Sequence, residues 1–539
     1  MVVVNNIPKL LSDFDVDVTG LSEGVEKWVE ENSKWLSRIV EQHNVFLAES
    51  EVEKYQAAYD GEMEQIAERD KSRGDDINHK LQVDLAQLII DTVVDYMTGK
   101  PISWTFENPE GEGSTEGEGS TEGSENNTLV EQYRKELLQL LRNENAQRVL
   151  AEQLRQGSIA YYSGVICWVN EEGEIEYDEF PVQEIIPVYD KRGRLKLVIR
   201  KYTAVDELAE VPSERTKLEV YDSKYVLYLE QDEEGQDFQL DQSELETGNP
   251  IKHFAGRIPV SIFTNGTPAS YKDRKKRNGT SDLKIVFSLL EELASVMSDK
   301  ANTVDRLLDQ FLLFKNVQTT EEEVIKMRKA RAIALKNKES DAGFLAPSQD
   351  DNAVENHMDR VEDMVHKTTQ TPKLNDISGA TATEIKVKYA SLDIKAGKKE
   401  NYFSQAVKEF IRILTDLLNS RRILEVNEEA DVHAILNGKT DSTVELYNAE
   451  WVQFTINRNM PQNYTEIAQI VSTLAGIVPD SYLYELLWFI EDPVSALKEM
   501  KGQKDEENKR AAAAGMAALG FGGEFGSTGN DDNGGGNDE

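Results

Sequence analysis

One cysteine stands among the 539 residues, Cys167, so no disulfide within the chain can brace the fold. It lies in the apolar run GVICWV, which reads as a small core residue rather than a reactive thiol, and a reducing compartment suits it. Histidine is nearly as scarce. The six, His43, His79, His253, His357, His366 and His433, are scattered, with no HExxH pair and no His/Cys cluster to hold a metal. No GxSxG nucleophile elbow occurs, and the nearest approach to a phosphate-binding loop, Gly438-Lys439-Thr440, has His433 where its first glycine is required. Without that loop, ATP-driven movement would have to come from another protein. Asp13, Asp15 and Asp17 imitate a calcium loop, but Val18 takes the obligatory glycine position and Gly24 the final glutamate. These absences give no catalytic residue, no metal site, no cofactor, and the expectation that the chain is not an enzyme.

Long apolar runs are missing too. None approaches the ~18 residues of a membrane span, and the opening MVVVNNIPKLLSDFDVDV has neither a basic leader nor a cleavage site. A soluble, unexported protein with no membrane partner is expected. Positive charge is in short supply: 60 Lys and Arg face 99 Asp and Glu, for a net −39. A protein that grips DNA must neutralise phosphates, and this one would repel them on average. Solubility explains such acidity as well as a role in weakening contact with a polyanion does.

What is present argues for a folded chain. Hydrophobic residues make up 39%, with six Trp, 19 Tyr and 17 Phe to bury, and the length exceeds what one core usually organises. Helical periodicity runs through residues 21 to 50, from Asn78 to Met97, and near 129 to 156. The tandem EGEGST within residues 110 to 125 reads as a disordered acidic surface loop. From about 160 to 265 the sequence is rich in strands and broken by turns. The basic stretch YKDRKKRNGTSD, with Lys272, Arg274, Lys275, Lys276 and Arg277, leads into a helix from about Ser281 to Leu312. Residues 313 to 350 are short and mixed, holding a second basic group, Lys326, Arg328, Lys329 and Arg331, and precede a polar helix near 354 to 369. On that helix His357 and His366 read as exposed rather than metal-binding. Pro372 and Gly379 then interrupt regular structure. The stripe Ile385, Tyr389, Leu392, Ala396, Phe403, Val407, Phe410, Leu414, Leu417 predicts one long helix. A strand at AEWVQFTINRN, further helices and a Gly-, Asn- and Asp-rich disordered tail from about 511 close the chain. The fold class is α+β.

The order of these elements resembles the portal, or head-to-tail connector, family of long-tailed bacteriophages. YDGEMEQIAERD, Asn78 and IIDTVVDYMTGKP resemble the family's N-terminal pattern. RIPVSIFTN and GTSDLKIVFSLLEELASVMSDKAN, notably Ser281-Asp282-Leu283 and Ser298-Asp299, are similar to its strand and first channel helix. TPKLNDISGATATEIKVKYASL resembles the tunnel loop and the kinked long helix after it, and INRNMPQNYTEIAQIVSTLAGIVPDSYLYEL the C-terminal region. The EGEGST repeat departs from the pattern and is assigned to a variable wing loop.

The resemblance implies a closed ring, usually of twelve subunits, at one capsid vertex of the virion, assembled in the host cytoplasm. Its parts would be a wing (1 to 280), stem helices (281 to 308 and 351 to 371), a small α/β clip between them (309 to 350), a tunnel loop (372 to 382), a long kinked helix with a wing strand (383 to 460) and a helical crown (461 to 510), with a tail from 511 to 539. Double-stranded DNA would pass weakly held along acidic walls, beside tunnel-loop residues Lys373, Leu374, Asn375, Asp376, Ile377, Ser378, Gly379 and Ala380, with Lys373 as a phosphate contact. The clip cations Lys326, Arg328, Lys329 and Arg331 would face the terminase large subunit and, later, head-completion or adaptor proteins. Major capsid and scaffolding proteins complete the implied partners. A helical scaffold or adaptor shares the long helices but leaves the inserted module unexplained, and a packaging ATPase or nuclease lacks its motif and its compact carboxylates.

Overall fold

A computed structural model describes residues 2–3, 8, 21–72, 77–107, 122–206, 213–232, 235, 237–241, 248–266, 279–308, 311–315, 320–330, 339, 341–345, 351–373, 382–442, 444–459, 469, 471–485, 496–504, 506 and 509–510. The chain divides into two units, Met1–Met460 and Pro461–Glu539.

In the first unit, alternating strands build two sheets around residues 160 to 264. Ile185–Tyr189, Leu195–Asp206, Ser213–Tyr221 and Tyr225–Gln231 form an antiparallel meander, extended by Phe238–Leu240 and Ile251–Lys252 and joined in parallel by Val2–Val3. Its apolar face is covered by the helix Leu21–Glu49. Val25, Trp28, Val29, Leu36 and Ile39, at helical spacing, meet Ile186, Val188, Leu197, Ile199, Leu218 and Leu227. The second sheet orders Val260–Thr264, Tyr162–Val169 and Ile175–Phe180, all antiparallel. A further pairing is long-range: Val452–Thr455 runs antiparallel to Ser103–Phe106.

The helix Ala382–Val426 is the organising element of the second core. Forty-five residues at ~1.5 Å each span about 68 Å. The stripe read from the sequence is its buried face: Leu392, Ala396, Phe403, Val407, Phe410, Leu414 and Leu417 are all at most 2% exposed. Phe403 meets Phe263 edge-on at 5.4 Å, Phe410 meets Tyr177 at 4.9 Å, and Ser261 Oγ donates to the Ala406 carbonyl at 2.7 Å. Helix Ala146–Ile159 lies against the same sheet. A Cβ at its Gly157 would sit 2.5 Å from the Phe263 ring, so only glycine permits that approach.

Several boundaries differ from the sequence reading. The helix expected from Asn78 begins only at Leu85, because the His79 and Leu81 N–H groups are taken by Asn302 Oδ1 (2.6 Å) and Ser298 Oγ (2.9 Å) of a distant helix. The helix expected over 129 to 156 is two, Glu122–Asn143 and Ala146–Ile159, separated where Asn145 turns left-handed (φ 49°) and caps the second through the Arg148 N–H. The first of these starts inside the span read as a loop, whose residues 110 to 121 lie outside the described residues. The helix read to Leu312 ends at Leu308, and Phe311–Lys315 is a strand. The helix runs without interruption from Ala382 to Val426. Asp13, Asp15 and Asp17, the cations at 272 to 277, and the tail from 511 fall outside the described residues.

The second unit has helical segments at 471 to 474, Asp480–Glu485 and 496 to 504. Among the described residues no helix is long and apolar enough to cross a membrane, and no group of three or more His, Cys, Asp or Glu could hold a metal ion. Phe403→Ala, emptying the contact between sheet and long helix, is expected to cost about 3–5 kcal/mol of unfolding free energy by chemical denaturation.

Candidate functional site

The functional reading centres on the helices Phe287–Leu308 and Asp351–Thr369 and on what they carry. They pack side by side, joined by the Lys300–Glu355 ion pair and by His357 Nε2 with Glu292 Oε1 at 3.3 Å. Between them in sequence, Phe311–Lys315 pairs antiparallel with Asp341–Leu345, and the helix Glu321–Ala330 lies between the two strands in the chain. That helix starts with Glu321, Glu322 and Glu323 and carries its cations toward its end, the order its dipole favours. Lys326 and Lys329 are exposed there, beside Ile325 at 49% exposure. Arg328 belongs to the helix, with a side chain outside the described residues, as is the whole of Arg331.

At its other end the helix Asp351–Thr369 stops on a polar cap. Gln370 adopts φ 60°, the Thr371 N–H donates to the His366 carbonyl at 3.1 Å, and the Thr369 and Thr371 hydroxyls meet at 2.8 Å. His366 Nδ1 lies 3.1 Å from Thr371 Oγ1, so this histidine is a buried part of the cap rather than the exposed residue expected. Lys373 follows directly. Its ammonium lies 2.8 Å from Asp363 and 3.3 Å from Glu362. The bond to Asp363 raises the Lys373 pKa and lowers that of Asp363. Leu374 to Ala380 lie outside the described residues.

The start of the first helix is tied to the long helix by a charged group that the sequence marked only as Ser281-Asp282-Leu283. Asp282 is buried, with Lys399 Nζ at 2.9 Å, Lys395 Nζ at 3.0 Å and the Asn265 amide at 2.9 Å. Burial opposes its charge, but the two ammonium groups and Asn265 outweigh it and hold the carboxyl well below the usual range. Burial also lowers Lys399, against the attraction of Asp282. Lys399 donates to Ser158 Oγ at 2.7 Å, and Ser158 O receives the Asp282 N–H at 3.0 Å. One carboxylate thus joins a helix end, a strand end, the approach to Phe287–Leu308 and the long helix. Nearby, Gly279 (φ 69°) passes so close to the Tyr161 carbonyl that a Cβ would stand 2.4 Å from it. Lys399 was detectable in advance: it falls seven residues after Leu392, on the apolar stripe, where a cation needs a partner.

Ser298-Asp299, also singled out without a role, forms a clamp. Asp299 takes Arg69 and Lys71, the latter at 2.6 Å, while His79 Nε2 meets Asp305 at 2.5 Å. Arg306 adds a bond to the Lys71 carbonyl at 3.0 Å. Arg69, Lys71, His79 and Leu81 are thereby held against the helix Phe287–Leu308.

A family model described as phage portal protein, SPP1 Gp6-like, matches residues 39–510. The portal protein of Bacillus phage SPP1 is 22% identical over 514 residues, covering 90% of this chain and 89% of that one. A chain from the solved neck of an empty GTA particle, computed with C6 symmetry, aligns with TM-score 0.39 and 12% identity over 75% of this chain and 90% of its own. The family match spans most of the sequence and sets the class as phage portal proteins. Within that class, the chain belongs to the SPP1 Gp6-like family. Portal proteins are structural and non-enzymatic.

Asp282→Asn leaves two ammonium groups facing a neutral amide, and a loss of about 3–5 kcal/mol is expected by chemical denaturation, partly recovered on adding Lys399→Met. Because the folded carboxyl ionises below its unfolded value, its stabilisation is present above about pH 4 and fades as the pH falls. Wild type should therefore lose more stability than the Asn variant on acidification below that point.

Proposed function

We propose that the chain is the subunit of a closed ring at one capsid vertex, the channel for DNA packaging and ejection and the docking platform for the terminase and head-completion proteins. The family match over residues 39–510 carries this reading. The two packed helices with a strand–helix–strand module between them in sequence support it, since a two-helix stem carrying a small clip would have that order of elements.

In this reading the channel holds DNA weakly. With a net charge of −39, the walls deny the duplex the counterion-releasing contacts that would trap it. Lys373 is already engaged by Asp363 and Glu362, so a phosphate would bind it only by competing with two carboxylates. That favours a brief contact over a lasting one. The loop 374 to 380 would be displayed from the capped end of the helix Asp351–Thr369, with Gln370 and Thr371 setting where it departs.

Docking on the clip would use the exposed Lys326 and Lys329 with Arg328 and Arg331, offering an acidic partner face a group of cations on an otherwise acidic protein.

Deleting Asn375 to Ser378 should leave ring assembly intact and reduce packaging or retention of DNA. Normal packaged length and normal retention would remove the loop from the mechanism. Charge reversal at Arg328 and Arg331 should weaken binding of terminase or head-completion protein in a pull-down, and unchanged binding to both would remove the basic face.

A further inference from the structure

The strand Ile175–Phe180 alternates, and Ile175, Tyr177 and Glu179 share one of its faces. Ile175 and Tyr177 are each 3% exposed, so that face is turned inward. Glu179 puts a carboxyl where the pattern asks for an apolar group. Its Oε1 is buried, and among the described residues no hydrogen bond or ion pair answers it. The cations of this region are committed elsewhere. Arg148 holds Asp178 at 3.2 Å, Arg155 holds Glu152 and Asp91, and Arg200 holds Glu184 at 3.2 Å and Glu219 at 3.0 Å.

Carboxylates bear on Glu179 from three elements: Glu152 from the helix Ala146–Ile159, which packs on this strand, Asp178 from the strand itself, and Glu184 from the turn that follows. Across the sheet it is paired with Val165, which has no charge to offer. Burial first, and then these three charges against the pull of Arg148, push the Glu179 pKa up to about 8. The turn matters because Pro181 to Glu184 connects the two sheets of the first unit. The Glu184 and Ile185 N–H groups bond to the Pro181 carbonyl at 3.0 and 3.2 Å, and the Glu184 carbonyl takes the Lys201 N–H of the meander at 2.7 Å.

We propose that the folded chain carries Glu179 as a neutral carboxylic acid at neutral pH, and that its ionisation in alkali is a switch that loosens the joint between the two sheets. A proton removes the charge that burial and three neighbouring carboxylates oppose. Once the proton leaves, the strand end must move toward water, since each nearby arginine already has a carboxylate partner. The sign follows from the raised value: the contribution is whole below the ordinary glutamate range and is lost as the pH climbs through about 8. The switch is a property of the fold and stands apart from the ring reading.

Hydrogen exchange read by mass spectrometry on the full chain compares wild type with Glu179→Gln, which keeps the shape and cannot ionise. At matched pH the ratio of their protection over residues 175 to 189 reports local opening. Wild-type protection relative to the variant should fall by up to about tenfold per pH unit between about pH 5 and 8 and level off above, while residues 213 to 231 stay equal in the two proteins. A ratio that is flat across this range overturns the switch. A second measurement needs no folded variant. Infrared difference spectra of wild type between about pH 7 and pH 9.5 should show loss of a protonated-carboxyl C=O band, and that loss should be missing from Glu179→Gln. Wild type without such a loss overturns the neutral acid, and so does the same loss persisting in the variant.

Discussion

A single buried carboxylate, Asp282, fixes how the helix pair is attached to the rest of the first unit. Two lysines one turn apart on the long helix converge on it, the Asn265 amide donates to it, and Ser158 Oγ accepts from Lys399. Taking three charges out of water cancels much of their attraction, so the group contributes geometry more than net energy. An apolar contact would tolerate sliding by a fraction of a turn. The Asp282 contacts do not, because their donors have defined positions, and so the approach to Phe287–Leu308 stays in register with the long helix. What the two helices carry, the strand–helix–strand module at one end and the loop root at the other, inherits that register.

The clamp at Ser298 and Asp299 acts on the same helix from another side. Arg69, Lys71, His79 and Leu81 give backbone or side-chain donors to Phe287–Leu308. These contacts join positions more than 200 apart in sequence. Together, Asp282 and the clamp brace a slender helix with charged hydrogen bonds where apolar area is limited.

Periodicity made most of the architecture legible. The nine-residue stripe from Ile385 to Leu417 located the long helix, and β-rich sequence broken by turns located the region from about 160 to 265 that builds the two sheets. Two of the misread boundaries share one cause: a distant or local polar side chain took a backbone group that periodicity alone assigns to the helix. Asn302 and Ser298 did so at residues 79 and 81, and the Asn145 side chain did so at the break before Ala146. The candidate site was legible as segments and not as contacts. Lys373 was visible, its carboxylate partners were not, since Glu362 and Asp363 reach it only because Gln370 reverses the chain. His366 looked exposed on a polar helix for the same reason.

Acidity and local basicity divide by position. Cations that the fold needs are answered inside it: Lys395 and Lys399 by Asp282, Arg257 by Asp416 and Glu409, Arg458 by Asp393 and Glu400. The carboxylates in excess leave the chain at a net −39, which suits the proposed role as a conduit for a polyanion. Electron microscopy of the purified full-length protein tests that conclusion most directly. Closed rings with a central channel are the expected result, and monomers or open filaments under the same conditions would contradict it.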